Sequence, residues 1–198
     1  LPAGISEIAD KTFSGCKVLK EINLPQGVTA IGKYAFENCK ALTVVELPAN
    51  VKSIGHSAFY SCAQLEEVVM PEGMESIGEE AFMYAGLKKA TIPSTVKTID
   101  AGAFFYCDNI KEIIIPEGVE TISEETFYYC LALEKVTIPT SVKTIDASAF
   151  LYCVALKDIV IPEGVNTIGE SAFENVGTIT KVTLPSTLTT IGGWAFQY

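Results

Sequence analysis

Proline recurs along this chain at a nearly fixed interval, and no other feature so restricts its possible folds. Pro2, Pro25, Pro48, Pro71, Pro93, Pro116, Pro139, Pro162 and Pro185 are its only prolines, separated by 23 residues with one interval of 22. A period of this length is the mark of a solenoid, in which each coil buries its apolar face against its neighbours. Starting from proline, a unit reads approximately P-x-G-V-x-x-I-x-x-x-A-F-x-x-C-x-x-L-x-x-V-x-L, giving eight full repeats and a partial ninth. One solenoid domain over residues 1–198 is expected, and Leu1 and Tyr198 fall in mid-pattern, as in a fragment of a longer protein.

Within each unit the apolar positions fall at three spacings. The last stretch, as in Leu19, Ile22 and Leu24 or Leu133, Val136 and Ile138, alternates like a short strand with one buried face. Such strands stack in parallel from coil to coil. A following pair, Val28 and Ile31 or Val119 and Ile122, continues inward across a turn or a second short strand. The third group, such as Ala35, Phe36, Cys39 and Leu42, has helical spacing and predicts one or two turns of α or 3-10 helix on the opposite side. Phenylalanine fills one column from Phe13 to Phe196 and isoleucine another from Ile8 to Ile191; both are read as core, because a coil that buries no large side chain cannot offset its ordering entropy.

Proline has no N–H to donate, so at the end of each strand it terminates the ladder. Glycine two residues later (Gly4, Gly27, Gly73, Gly118, Gly164) suits a turn of positive φ. Ala85-Gly86-Leu87 replaces the usual Cys-x-x-Leu and predicts local distortion of that coil. The cysteines (Cys16, Cys39, Cys62, Cys107, Cys130, Cys153) each lie fourteen residues after a proline, which places them in one inward column. Coils about 5 Å apart hold parallel Cβ atoms near that separation, beyond the roughly 3.5 to 4.5 Å a disulfide prefers. Free buried thiols are therefore expected.

Units such as LPQGVTAIGKYAFENCKALTVVE and IPEGVETISEETFYYCLALEKVT resemble the leucine-rich repeats of the BspA type, also called the Treponema type, and the resemblance covers the whole chain. It implies a leucine-rich-repeat right-handed solenoid with parallel β-strands on the concave side. It also implies a bacterial secreted or cell-surface protein that binds host or microbial macromolecules, often in adhesion. The chain departs from ordinary leucine-rich repeats in having Asn50 alone where a regular asparagine would follow the strand, and terminal caps are not recognisable.

Fourteen basic and twenty-four acidic residues give a net charge of −10. That balance disfavours nucleic acid and anionic membranes, which require a positive surface. No apolar run approaches the roughly 18 to 20 residues that span a bilayer, and no signal peptide or anchor is recognised, so direct membrane insertion is not expected. Catalysis needs unlike groups converging on one point, whereas a repeat array supplies columns of similar ones. The single histidine, His56, reads as surface, and no metal-binding pair, phosphate loop or nucleophile elbow is present. No catalytic, cofactor or metal residue is predicted; the adjacent carboxylates Glu79-Glu80 and Glu124-Glu125 are read as solvated, with calcium binding the alternative.

Two charge columns alternate in sign, Lys89, Glu112, Lys135, Asp158, Lys181 on the strand face and Lys52, Glu75, Lys97, Glu120, Lys143 beyond the proline. Cross-coil ion pairs and a two-coil period are expected from them. Trp194 stands where other coils carry small or charged residues, and it either packs on a further coil or binds a partner. The residue after each core phenylalanine lies about 160° from the buried face of a helical turn and should meet solvent. In the middle coils this position reads Tyr60, Met83, Phe105, Tyr128 and Leu151, and the next adds Tyr84, Tyr106, Tyr129 and Tyr152. These residues predict an aromatic strip roughly 20 Å long that either covers the core edge or takes a protein or glycan partner, or a second copy of the chain in weak self-association. The rival site is the concave sheet, with Val69, Ile114 and Val160 exposed beside Lys89, Glu112, Lys135 and Asp158. A binding module is the leading expectation; a spacer solenoid and, last, a hydrolase are the alternatives.

Overall fold

The computed structural model describes residues 1–177 and 179–198. They wind into a parallel β-solenoid whose successive coils pair in a register of 23 residues, shortened to 22 across the irregular coil. Two sets of strands run along it. The two-residue strands ending on the isoleucine column form the longer ladders: Ala30–Ile31, Ser53–Ile54, Ser76–Ile77 and Thr98–Ile99 in one sheet, and Thr121–Ile122, Thr144–Ile145, Thr167–Ile168 and Thr190–Ile191 in another. The pair that could have been a turn is thus the most continuous strand of the coil.

The three-residue strands before the prolines stack in parallel, as their alternation requires, but only as doublets. Val44–Glu46 pairs with Glu67–Val69, Glu112–Ile114 with Lys135–Thr137, and Asp158–Val160 with Lys181–Thr183. At the shortened coil a single bridge from Glu67 to Lys89 replaces a full pairing. Gly86 is required there, since a Cβ would lie 2.2 Å from the Ala63 carbonyl oxygen.

The segment with helical spacing forms no helix. Its amides alternate between local turns and the neighbouring coil: Tyr34, Phe36 and Asn38 donate to His56, Ala58 and Tyr60, while Ala35, Glu37 and Cys39 donate three residues back. An α-helix would commit every amide within its own coil, whereas here every second one joins coil to coil. Left-handed backbone at two positions per coil, Tyr34 and Asn38 (φ 56° and 57°) in this one, makes the alternation possible.

The core follows the columns. Phe36, Phe59, Phe82, Phe104, Phe127 and Phe150 are fully buried, and the ring centroids of the whole column stack 5.1 to 5.6 Å apart. Phe13 and Phe196, each stacked on one ring, are half-buried. All six cysteines are free; five are buried, and Cys16 is half-buried, which departs from the expected uniform burial. Each buried thiol donates to the carbonyl of a phenylalanine in the preceding coil, as Cys62 does to Phe36 and Cys153 to Phe127, both at 3.1 Å. Burial pushes the Cys39 thiol up to about 11 and that of Cys130 up to about 12.

The two-coil period is built into the turns after proline. Gly73, Gly118 and Gly164 have φ of 95°, 95° and 106°, and their amides donate to the hydroxyls of Thr95, Ser141 and Thr187 in the next coil. Those hydroxyls donate back to the carbonyls of Met74, Val119 and Val165. Gly4 and Gly27 do not take the expected positive φ. Beside Gly27 the next coil offers Asn50 in place of a hydroxyl, and its amide donates to the Gln26 carbonyl.

Candidate partner-binding surface

Because the coil is not helical, the position two after each core phenylalanine is set by left-handed backbone. Tyr84, Tyr106, Tyr129 and Tyr152 occupy it with φ of 59°, 56°, 60° and 62°. This region favours glycine, asparagine and other small polar residues, and a bulky side chain there costs on the order of 1 kcal/mol or more. Flanking coils obey the preference with Asn38, Ser61 and Asn175. Four successive tyrosines therefore stand where backbone geometry disfavours them.

Their rings make one continuous strip with the residues that precede them. Phe105 stacks on Tyr128 at 4.6 Å and Tyr106 on Tyr129 at 4.4 Å, and Tyr129 meets Tyr152 at 4.6 Å. Tyr84 meets Tyr106 at 5.1 Å and Tyr60 edge-on at 5.7 Å. Tyr84 is 39% exposed and the other six are half-buried, so each ring reaches solvent in part while packing against its neighbours. The position after phenylalanine, expected to meet solvent, does so only in part. Partial burial, then the Tyr129 phenol, pushes the Tyr106 hydroxyl up; burial, then Tyr129 and Tyr106, does the same to Tyr128.

A row of carboxylates runs beside the rings. Glu79, Glu80 and Glu125 border a notch floored by Ala101 and Gly102 and walled by Met83 and Phe105. Burial and then Glu79 raise Asp100; burial and then Glu124 and Glu80 raise Glu125; burial and then Glu124 raise Asp146. Among the described residues no ion pair is formed by Glu80, Asp100, Glu124, Glu125 or Asp146, and none of their clusters is arranged to hold a metal ion. His56, expected at the surface, is half-buried instead, with Nε2 hydrogen-bonded to the Tyr34 hydroxyl at 2.8 Å and Nδ1, which has no hydrogen-bond partner among the described residues, 3.4 Å from a Glu79 carboxylate oxygen.

The strand face holds the rival residues. Val69, Ile114 and Val160 are 44%, 60% and 64% exposed, alternating along the coils with Thr91, Thr137 and Thr183. Of the charge column, Lys135 pairs with Glu112 and Lys89 with Glu67, whereas Asp158 and Lys181 form no ion pair among the described residues. The second column does not pair as expected: Lys52 and Lys97 donate to the carbonyls of Gly73 and Glu117 rather than reaching Glu75 and Glu120. The turn carbonyls are nearer, and the positive φ of the glycines presents them to the ammonium. Trp194 is 63% exposed.

A family model of the BspA-type leucine-rich repeat region, in six copies, matches residues 1–104 and again 75–198. The chain belongs to the BspA-type leucine-rich repeat family. Among solved structures, it is similar to a leucine-rich cell-surface protein of Faecalibacterium prausnitzii, with 35% identity over 78% of this chain and a TM-score of 0.70. This chain spans 42% of that protein's length. A leucine-rich repeat protein of T. pallidum matches 91% of the chain, and 77% of its own, at 27% identity and a TM-score of 0.73. One from Bacteroides ovatus matches 100% of the chain and 69% of its own at 25% identity and a TM-score of 0.64. No curated protein matches the sequence. Within this chain the proline and phenylalanine columns are complete, while the residue two after phenylalanine changes from coil to coil.

Proposed function

We propose that the chain is a non-enzymatic binding module of a bacterial secreted or cell-surface protein, and that it contacts a protein or glycan through the strip formed by Tyr60, Tyr84, Phe105, Tyr106, Tyr128, Tyr129 and Tyr152. The observation that carries this reading is the run of four tyrosines on left-handed backbone. Core packing does not need them, since the phenylalanine column is complete without them and other coils fill the same position with Asn38, Ser61 or Asn175. Strain kept at four successive positions is the kind of local cost that a binding surface retains. Tyrosine edges and hydroxyls suit both protein and glycan contacts. The cell-surface description of the Faecalibacterium relative supports the location. Columns of like residues give no convergent acid, base and nucleophile, which supports a role without catalysis.

The strand face is the second reading, favoured by the exposure of Ile114 and Val160 beside the Lys135–Glu112 pair. An array of purified extracellular-matrix proteins and glycans separates the two. Replacing Tyr84, Tyr106, Tyr129 and Tyr152 together by asparagine should leave the fold intact, because Asn38 and Asn175 already hold that conformation, and should abolish array binding. If that variant binds as the parent does while a Glu112→Ala, Ile114→Ser variant does not, the strand face is the site.

A further inference from the structure

The ladder on the isoleucine column is interrupted once among the described residues, between Thr98–Ile99 and Thr121–Ile122. At its other junctions the residue after isoleucine donates its amide to the isoleucine carbonyl of the preceding coil, as Gly78 does to Ile54, Asp100 to Ile77, Asp146 to Ile122 and Gly169 to Ile145. Ser123 does not. Its hydroxyl takes the Ile99 carbonyl instead, at 2.7 Å, and among the described residues its amide has no hydrogen-bond partner. The ladder also fails just before it: Lys97 donates its amide to Glu75 and Lys143 to Glu120, but neither Glu120 nor Thr121 donates to Lys97. Ser123 is the only hydroxyl residue in its column, which otherwise reads alanine, glycine or aspartate. A cleft of about 330 Å³ lined by Thr98, Ile99, Glu120, Thr121 and Ser123 lies at the gap.

We propose that Ser123 maintains a hinge at this junction, about which the two halves of the solenoid tilt. The cause is local: a serine hydroxyl competes with backbone donors for a nearby carbonyl, and here it displaces the amide that would otherwise join the two sheets into one. With the amides of Glu120, Thr121 and Ser123 outside the ladder, opening the cleft breaks no amide-to-carbonyl bond on this side of the coil. The other two sides stay joined and carry the hinge. Gly102, Phe104 and Tyr106 donate to Glu124, Thr126 and Tyr128 on the phenylalanine side, and Glu112–Ile114 pairs with Lys135–Thr137 on the strand face. The core is continuous beneath the gap, with Ile99 and Ile122 buried and Phe104 stacked on Phe127 at 5.6 Å. Tilting therefore widens or closes the cleft without separating the coils. The aromatic strip crosses the same junction at the Tyr106–Tyr129 stack, so the tilt sets the angle between its halves. The hinge itself does not depend on the strip being the docking surface.

Hydrogen exchange resolved to single amides and a distance measurement across the junction test this. The amides of Glu120, Thr121 and Ser123 are expected to exchange roughly a hundredfold faster than those of Lys143, Thr144 and Asp146, which hold the same places one coil on and are bonded. A Ser123→Ala variant keeps the Cβ and removes only the hydroxyl, which leaves the Ile99 carbonyl to the amide; the same three amides should then slow by roughly tenfold or more. Ser123→Gly is a second variant, since Gly78 holds that place in another coil and donates its amide. Nitroxide amino acids at Thr29 and Thr189, both exposed and toward opposite ends of the ladder, report the tilt by double electron–electron resonance. The distance distribution of the parent should be about twice as broad as that of either variant. Amides of Glu120, Thr121 and Ser123 as protected as those one coil on, no slowing in either variant, or equal distance spreads in parent and variants would each overturn the inference.

Discussion

Replacing Phe127 by alanine tests whether stacked rings carry the stability of the solenoid. Phe127 is fully buried, with its ring 5.6 Å from Phe104 and 5.3 Å from Phe150. Truncating a buried phenylalanine costs about 3 to 5 kcal/mol, the larger values arising where the surroundings cannot collapse into the void. Here collapse is resisted, because Phe104 is held by Phe82 at 5.3 Å and Phe150 by Phe173 at 5.1 Å. The expected loss is therefore in the upper half of that range, about 4 to 5 kcal/mol. Phe196 is half-buried with one stacked neighbour, Phe173, so its truncation should cost about half as much. In a solenoid, stability is a sum of coil terms and nearest-neighbour interfaces, so the central defect should also uncouple the two halves and lower the denaturant dependence of unfolding. Urea melts followed by circular dichroism measure both quantities. A loss below about 1 kcal/mol at Phe127, or one no larger than at Phe196, would refute the reasoning.

Two further outcomes follow from the same geometry. A thiol reagent should modify Cys16 in the folded protein and the five buried cysteines only after denaturation; a native mass lowered by two hydrogens per cysteine pair would show disulfides instead. Asp100, Glu125 and Asp146 hold their protons more tightly folded than unfolded, so the folded chain binds more protons and stability falls as pH rises through the window from the ordinary values of 3.8 and 4.5 to the raised ones. The melting temperature should accordingly rise on mild acidification, until Glu134 and Glu163, held low by Lys157 and by Ser186 respectively, lose their partners below 4.5. An Asp100→Asn, Glu125→Gln, Asp146→Asn variant should flatten the rise, and a full slope in that variant would contradict the assignment.

The columns were legible in the sequence because a solenoid converts period into position. Phe127 lands between Phe104 and Phe150 simply by being one 23-residue period from each. The two-coil alternation of Lys135 and Glu112 was legible for the same reason. The turns were not. Ala35, Phe36, Cys39 and Leu42 have the spacing of a helix, and side-chain period alone does not reveal that alternate amides cross to the next coil. The left-handed conformation of Tyr106 and Tyr129 was equally hidden, although the small polar residues Asn38, Ser61 and Asn175 at that position are the signal that could have found it. Likewise, Lys52 and Lys97 look like partners for Glu75 and Glu120 until the orientation of the neighbouring turn carbonyls is known.

The central claim is that a partner lies on the aromatic strip, and site-specific photocrosslinking measures that contact directly. p-Benzoylphenylalanine is placed at Tyr106 in one protein and at Ile114 in another, and each is irradiated with the purified array component that the parent chain binds. Both sites reach solvent, Ile114 the more fully at 60% exposure, so accessibility alone favours the strand face. Covalent adducts from the Tyr106 position and none from Ile114 are the predicted result. Adducts from Ile114 with none from Tyr106 would contradict it.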